Sequence, residues 1–212
     1  MALFYQHNIH DDARLGAWKI EENEQFFIER VPVKGDVSHP YKRLQHLAGR
    51  YLLTELYEDF PLEEILIADT RKPFLQDEKY HFSISHCGNY AAAIASSTRR
   101  VGVDIEYITP RIQRISEKFL NAEELEFVES YSYMSAIYLE LLTVLWSAKE
   151  AIFKWYGEGQ VDFREHIRLQ LPIVYEPSEW MTLPFRFAKN VGQDLRVHGR
   201  VMEGLSLAYV IS

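Results

Sequence analysis

Apolar residues at strand-like and helix-like spacings divide this chain into two stretches that follow the same order of elements. In the first, short apolar segments at Ala2–Tyr5 and Ala17–Ile20 predict strands, and Glu22–Arg30 predicts an acidic helix. A long amphipathic helix is predicted over Tyr41–Glu58, because Leu44, Leu47, Ala48, Tyr51, Leu52 and Leu56 recur at three-to-four spacing and mark one buried face. Strands follow at Glu64–Ala68, His81–Ser85 and Tyr90–Ser96. The second stretch opens with a strand at Val101–Tyr107, continues through short helices at Gln113–Phe119 and Ala122–Ser130, and reaches a long helix at Met134–Tyr156. Asn121 with Glu124 three residues on has the spacing of a capping box, and Gly157 supplies the left-handed conformation that closes a helix. Strands at Ile167–Leu171, Pro184–Ala188, Leu195–Val201 and Leu205–Ile211 complete the chain. Strand, long helix, then strands thus occurs twice, predicting two α+β halves of about a hundred residues each, 1–100 and 101–212.

Composition narrows the class. With 212 residues and 47% hydrophobic content the chain can bury a substantial core. No apolar stretch approaches the roughly 18 residues of a membrane span, and the start lacks the basic region and apolar core of a signal peptide, so a cytoplasmic, membrane-free protein is expected. One cysteine, Cys87, excludes an internal disulfide framework and a thiolate zinc cluster; its neighbours suggest a small buried residue. A formal net charge of −8 with no long basic patch argues against nucleic-acid binding. Any phosphate ligand must be met by a few placed cations.

Chemistry concentrates in two segments. In Gly102-Val103-Asp104-Ile105-Glu106 the alternation puts Asp104 and Glu106 on one strand face. In Trp146-Ser147-Ala148-Lys149-Glu150-Ala151-Ile152-Phe153-Lys154, Glu150 and Lys154 stand one helical turn apart. Taken singly, such an acidic pair is most often a solvated face, and an i, i+4 pair is common on exposed helices. Trp146, one turn before Glu150, implies that this face is not simply in water. Together the segments suit a metal site beside a base and an acid, and their oxygen donors suit Mg²⁺ or Mn²⁺ better than zinc. His7, His10, Asp11 and Asp12 also cluster, but a surface loop explains them and no metal is assigned there.

In order and spacing, Phe82-Ser83-Ile84-Ser85-His86, Gly102–Glu106 and Trp146–Ala151 through Lys154 resemble the three signature motifs of the 4′-phosphopantetheinyl transferases, of the longer surfactin-synthetase-activating type. Weaker likenesses lie at Lys42-Arg43-Leu44, Ala48-Gly49-Arg50, Lys72-Pro73-Phe74 and Lys118-Phe119-Leu120, so the resemblance runs from about residue 42 to residue 155. Three positions depart from the family's usual residues: Ser83 for asparagine, Cys87 for serine, and Arg71 for the glycine before Lys-Pro.

The resemblance implies two similar α/β halves related by a pseudo-twofold axis, acting as a monomer. It implies a Mg²⁺-dependent enzyme, with Mn²⁺ as a substitute, that moves the phosphopantetheine arm of coenzyme A onto a serine of an apo acyl or peptidyl carrier protein and releases 3′,5′-ADP. Asp104, Glu106 and Glu150 would hold the metal, with Glu150 as general base and Lys154 supporting the leaving phosphate. Arg43, Arg50, Lys72, Ser85 and His86 match the family's coenzyme A contacts, and the arm would cross the cleft between the halves. The region Arg111–Phe127, with Arg111, Arg114, Lys118, Phe119 and Leu120, is a candidate docking patch for the carrier. Two other readings use the same residues: a Mg²⁺-dependent phosphohydrolase of coenzyme A-like diphosphates, which needs no acceptor, and a catalytically silent module that binds coenzyme A or a carrier protein. A silent module has no need to keep this charge cluster together.

Overall fold

The structure is a computed structural model that describes residues 3–32, 39–176, 179–189 and 192–212. Ala2, where the first strand is expected to begin, lies outside the described residues. The first half contains strands β1 (Leu3–His10) and β2 (Ala13–Lys19), helices α1 (Glu24–Ile28) and α2 (Pro40–Leu56), a short ribbon of β3 (Leu66–Ile67) and β4 (Pro73–Phe74), and strands β5 (His81–Cys87) and β6 (Tyr90–Ser96). The second half contains β7 (Val101–Tyr107), a 3₁₀ segment Pro110–Ile115, helices α3 (Ser116–Phe119), α4 (Ala122–Glu129) and α5 (Ser135–Tyr156), and strands β8 (Ile167–Leu169), β9 (Met181–Phe187), β10 (Gln193–Met202) and β11 (Leu205–Ile211). Two antiparallel sheets result, in orders β1-β2-β6-β5 and β7-β11-β10-β9-β8.

The sequence of β6 shows why these parts stack as they do. Every residue of Tyr90-Ala91-Ala92-Ala93-Ile94-Ala95-Ser96 is buried. Ala91, Ala93 and Ala95 pack under α2, whereas Tyr90, Ala92 and Ile94 face the second sheet. A strand covered on both faces reads as a continuous apolar run, and small residues let α2 approach closely. Gly49 adds to this approach: a Cβ there would stand 2.5 Å from Ile84 Cγ2. The layers therefore run α2, first sheet, second sheet, α5, with apolar clusters in all three gaps. Strand β7 sits in the same way, with Val101, Val103 and Ile105 in the core between the sheets. Its even-numbered residues are thereby turned toward α5.

Expected and observed elements agree on the long helices and on both caps. Asn121 Oδ1 accepts from Glu124 N and Glu124 Oε2 from Asn121 N, each at 2.9 Å, forming the capping box. Gly157 closes α5 at φ +76°. Several element bounds differ, β3 is shorter than expected and β4 is unpredicted, and three differences have a clear physical cause. Strand β1 runs on to His10, because His7 points inward and stacks on Trp180, so a titratable residue occupies an apolar position. Strand β9 begins at Met181, before Pro184, with Met181, Leu183, Phe185 and Phe187 alternately buried. The segment before α3 is a 3₁₀ turn led by Pro110.

Candidate functional site

Gly102 lets the second signature strand meet α5. A Cβ at Gly102 would lie 2.0 Å from Ala151 O and 2.7 Å from Trp155 N, both backbone atoms of α5 that have no way to yield. With only hydrogen there, β7 lies against the helix and Asp104 reaches Lys154: Nζ donates to Asp104 Oδ1 at 2.6 Å. Asp104 is 2% exposed. Ser85 Oγ, from β5 of the other half, donates to the same oxygen at 2.8 Å and accepts from Lys154 Nζ at 2.8 Å. A carboxylate, an ammonium and a hydroxyl thus share one point on the seam between the sheets.

The neighbouring acids feel the same burial. Desolvation, then the Asp104 charge, pushes the Glu150 carboxyl up to about 7. Glu106 is raised for the same two reasons in the same order, opposed more weakly by Cys87, Trp146 and the Lys154 charge, which favour its charged form. Trp146 therefore acts on Glu106 as well as adding apolar bulk, a role that its size alone concealed in the sequence. Burial, the stronger cause, and the Lys154 charge hold His86 below the usual histidine range. His46, which the sequence ties to nothing, stands edge-on to His86 with ring centres 5.1 Å apart, and burial lowers it to about 4.

The expected phosphate-binding cations are spread more widely. Lys72 lies between two cavities, of about 350 Å³ and 220 Å³; the smaller is lined by Arg71, Ser83, Ile84 and Phe153 together with Lys72 and Lys154. Lys72 Nζ donates to Trp155 O at 3.2 Å, and burial lowers its amine to about 8. Arg71 adopts φ +66°, the left-handed conformation that a glycine would take without strain. Arg43 makes a two-pronged pair with Glu24, at 2.5 and 2.9 Å. Arg50 donates to His46 O at 3.3 Å along the α2 face. In the expected docking patch, Arg111, Arg114 and Lys118 are exposed, but Phe119 and Leu120 are buried in the core beneath α5.

Among the described residues, no group of three or more His, Cys, Asp and Glu side chains is gathered closely enough to hold a metal ion. Chemically, Asp104, Glu106 and Glu150 still fit a hard divalent cation. All three donate oxygen, their charges oppose one another, and Asp104 Oδ2 is buried without a hydrogen-bond partner. Lys149, beside Glu150, is committed elsewhere: its Nζ meets Glu124 Oε2 at 2.7 Å, Phe119 O at 2.7 Å and Phe163 O at 3.1 Å, at 0% exposure. That pair ties α5 to α4 and fixes the rotation that presents Glu150 and Lys154 to β7.

Fold and site together define an α+β protein with an acid-rich, lysine-containing seam, and comparison with known proteins gives that class its family. Residues 100–189 match the profile of the 4′-phosphopantetheinyl transferase superfamily. It is 32% identical over 143 residues to the 4′-phosphopantetheinyl transferase gsp of Aneurinibacillus migulanus, covering 66% of this chain and 56% of that protein. It is 34% identical over 121 residues to the 4′-phosphopantetheinyl transferase AcpT of Escherichia coli (strain K12), covering 55% and 59%. Enterobactin synthase component D of Salmonella typhi is 29% identical over 120 residues, covering 55% and 49%. The chain spans about half to three-fifths of the length of these curated relatives. Among the described residues, no helix is long and apolar enough to cross a membrane.

Proposed function

We propose that this protein transfers the 4′-phosphopantetheine group of coenzyme A to a serine hydroxyl of an apo acyl or peptidyl carrier protein, yielding holo carrier protein and 3′,5′-ADP. The observation that carries this reading is the meeting of Asp104, Ser85 and Lys154 at one oxygen, beside a Glu150 that burial has made a near-neutral base. A carboxyl that titrates near 7 is matched to removing a proton at working pH. In the reaction the serine oxygen bonds to the β-phosphorus while the bond to the 3′,5′-ADP oxygen breaks; the serine proton passes to Glu150. Lys154, one turn along α5, meets the charge that develops on the departing phosphate.

Asp104, Glu106 and Glu150 would hold Mg²⁺, or Mn²⁺ in its place. Such an ion would neutralise and orient the diphosphate oxygens. Lys72, His86, Ser85, Arg43 and Arg50 are assigned to coenzyme A, with residues 1–100 supplying these contacts and residues 101–212 the acids and Lys154. The cavity bounded by Lys72, Ser83 and Lys154 draws on both halves, which supports an arm lying across the seam. The protein is assigned as a cytoplasmic monomer.

The test is incubation with Mg²⁺, coenzyme A and a panel of apo carrier proteins, with intact-protein mass spectrometry as the readout. A phosphopantetheine adduct on serine, with 3′,5′-ADP released only when carrier is present, is the expected result. Absence of an adduct on every carrier overturns the assignment, and coenzyme A consumption without carrier would indicate hydrolysis.

A further inference from the structure

We propose that Cys87 is a positioning residue that fixes the end of β7 carrying Glu106, as the last rung of a side-chain ladder joining the two sheets; this builds on the reading of Glu106 as part of the reaction site. Strands β5 and β7 belong to different sheets and share no backbone ladder. Val103 N donates to Ser83 Oγ at 3.2 Å, Ile105 N to Ser85 Oγ at 3.4 Å, and Tyr107 N to Cys87 Sγ at 3.3 Å. Each rung advances two residues on both strands, so the strands run parallel with β5 side chains standing where carbonyls would accept.

The same ladder holds the acids. While Ser85 Oγ accepts from Ile105, it donates to Asp104. Cys87 Sγ accepts from the backbone N–H of Tyr107, the residue after Glu106, and so fixes the backbone from which that carboxylate leaves. Each of these two rungs thus sets the strand one residue beyond an acid. Tyr107 is fixed further by Gly88, whose missing Cβ leaves the space that the Tyr107 ring fills. Cysteine can occupy the last rung because a thiol sulfur accepts, though more weakly than a hydroxyl.

A merely space-filling cysteine and a bridging one predict opposite orders of substitution. For a small apolar filler, Cys87→Ala should serve as well as or better than Cys87→Ser. For a bridge, serine keeps the acceptor and alanine loses it. The experiment measures hydrogen exchange at the Tyr107 amide by NMR and Mg²⁺ binding to the intact chain by calorimetry. Cys87→Ala is expected to speed Tyr107 exchange by about tenfold relative to Val103 and to weaken Mg²⁺ binding by about tenfold, with Cys87→Ser restoring both. Unchanged Tyr107 exchange in Cys87→Ala, or a serine variant no better than alanine, overturns the proposal. Should the alanine variant not fold, Cys87→Val, which retains the bulk without the acceptor, takes its place in the comparison. A parent protein that binds no Mg²⁺ and modifies no carrier overturns the functional reading, while the exchange rates still decide the bond to Tyr107.

Discussion

Lys154 Nζ stands 2.6 Å from Asp104 Oδ1, an ammonium one-quarter exposed joined to a carboxylate that is almost fully buried. Removing the ammonium strands the acid. Lys154→Met is expected to lower the unfolding free energy by on the order of 3 kcal/mol, the low end for breaking a buried pair. Urea denaturation measures this, and added Mg²⁺ should recover part of the loss. Equal stability of parent and variant without metal would show that Asp104 is not charged there.

Glu150 gives the metal-free protein a specific pH dependence. Its folded carboxyl titrates at about 7, above the ordinary 4.5, so the folded state binds a proton that the unfolded state has released. Stability from this group is full below about pH 4.5, falls as pH rises through 7, and is absent above it. Glu150→Gln should therefore be more stable than the parent at pH 8, by up to about 3 kcal/mol, with the gap closing near pH 4.5. In the transfer assay the same variant should lose 10²- to 10⁴-fold in turnover, on the order of a general base. Intact carrier modification would sink the role of Glu150.

Lys149 and Glu124 are both sealed from solvent, and Glu124 also accepts from Leu169 N at 2.7 Å. Lys149→Met alone should cost about 3–5 kcal/mol by leaving Glu124 buried and unpaired. Pairing it with Glu124→Gln should return a good part of that loss, a coupling that a double-mutant cycle reads directly.

Gly102→Ala puts a methyl group into the backbone of α5. Overpacking of this kind costs about 1–3 kcal/mol. Because β7 must back away, carrier modification should fall further than the melting temperature implies. Full activity in a destabilised Gly102→Ala protein would show that the approach of strand and helix does not set the site.

Much of this arrangement is legible in the sequence. The alternation of Val101–Tyr107 places Asp104 and Glu106 on one face, and the spacing of Glu150 and Lys154 places them on another. What that face meets is not legible, since the meeting depends on a close approach that only Gly102 permits. Ser83, Ser85 and Cys87 alternate as a solvated strand face would, yet they face β7. Their partners are twenty residues away across a seam with no local signature. Phe119 and Leu120, adjacent to exposed Lys118, read as a docking patch because apolar residues beside a cation look alike whether they face outward or form the core. His7 hides the second half of β1 for the converse reason, a polar residue turned inward among aromatic rings.

The joint between β5 and β7 is made of side chains, and that changes how it can vary. A backbone ladder is indifferent to residue type and fails only when a strand fails. Here each rung is a separate genetic position, so the grip of one half on the other can be loosened, tightened or retuned one bond at a time without unmaking either strand.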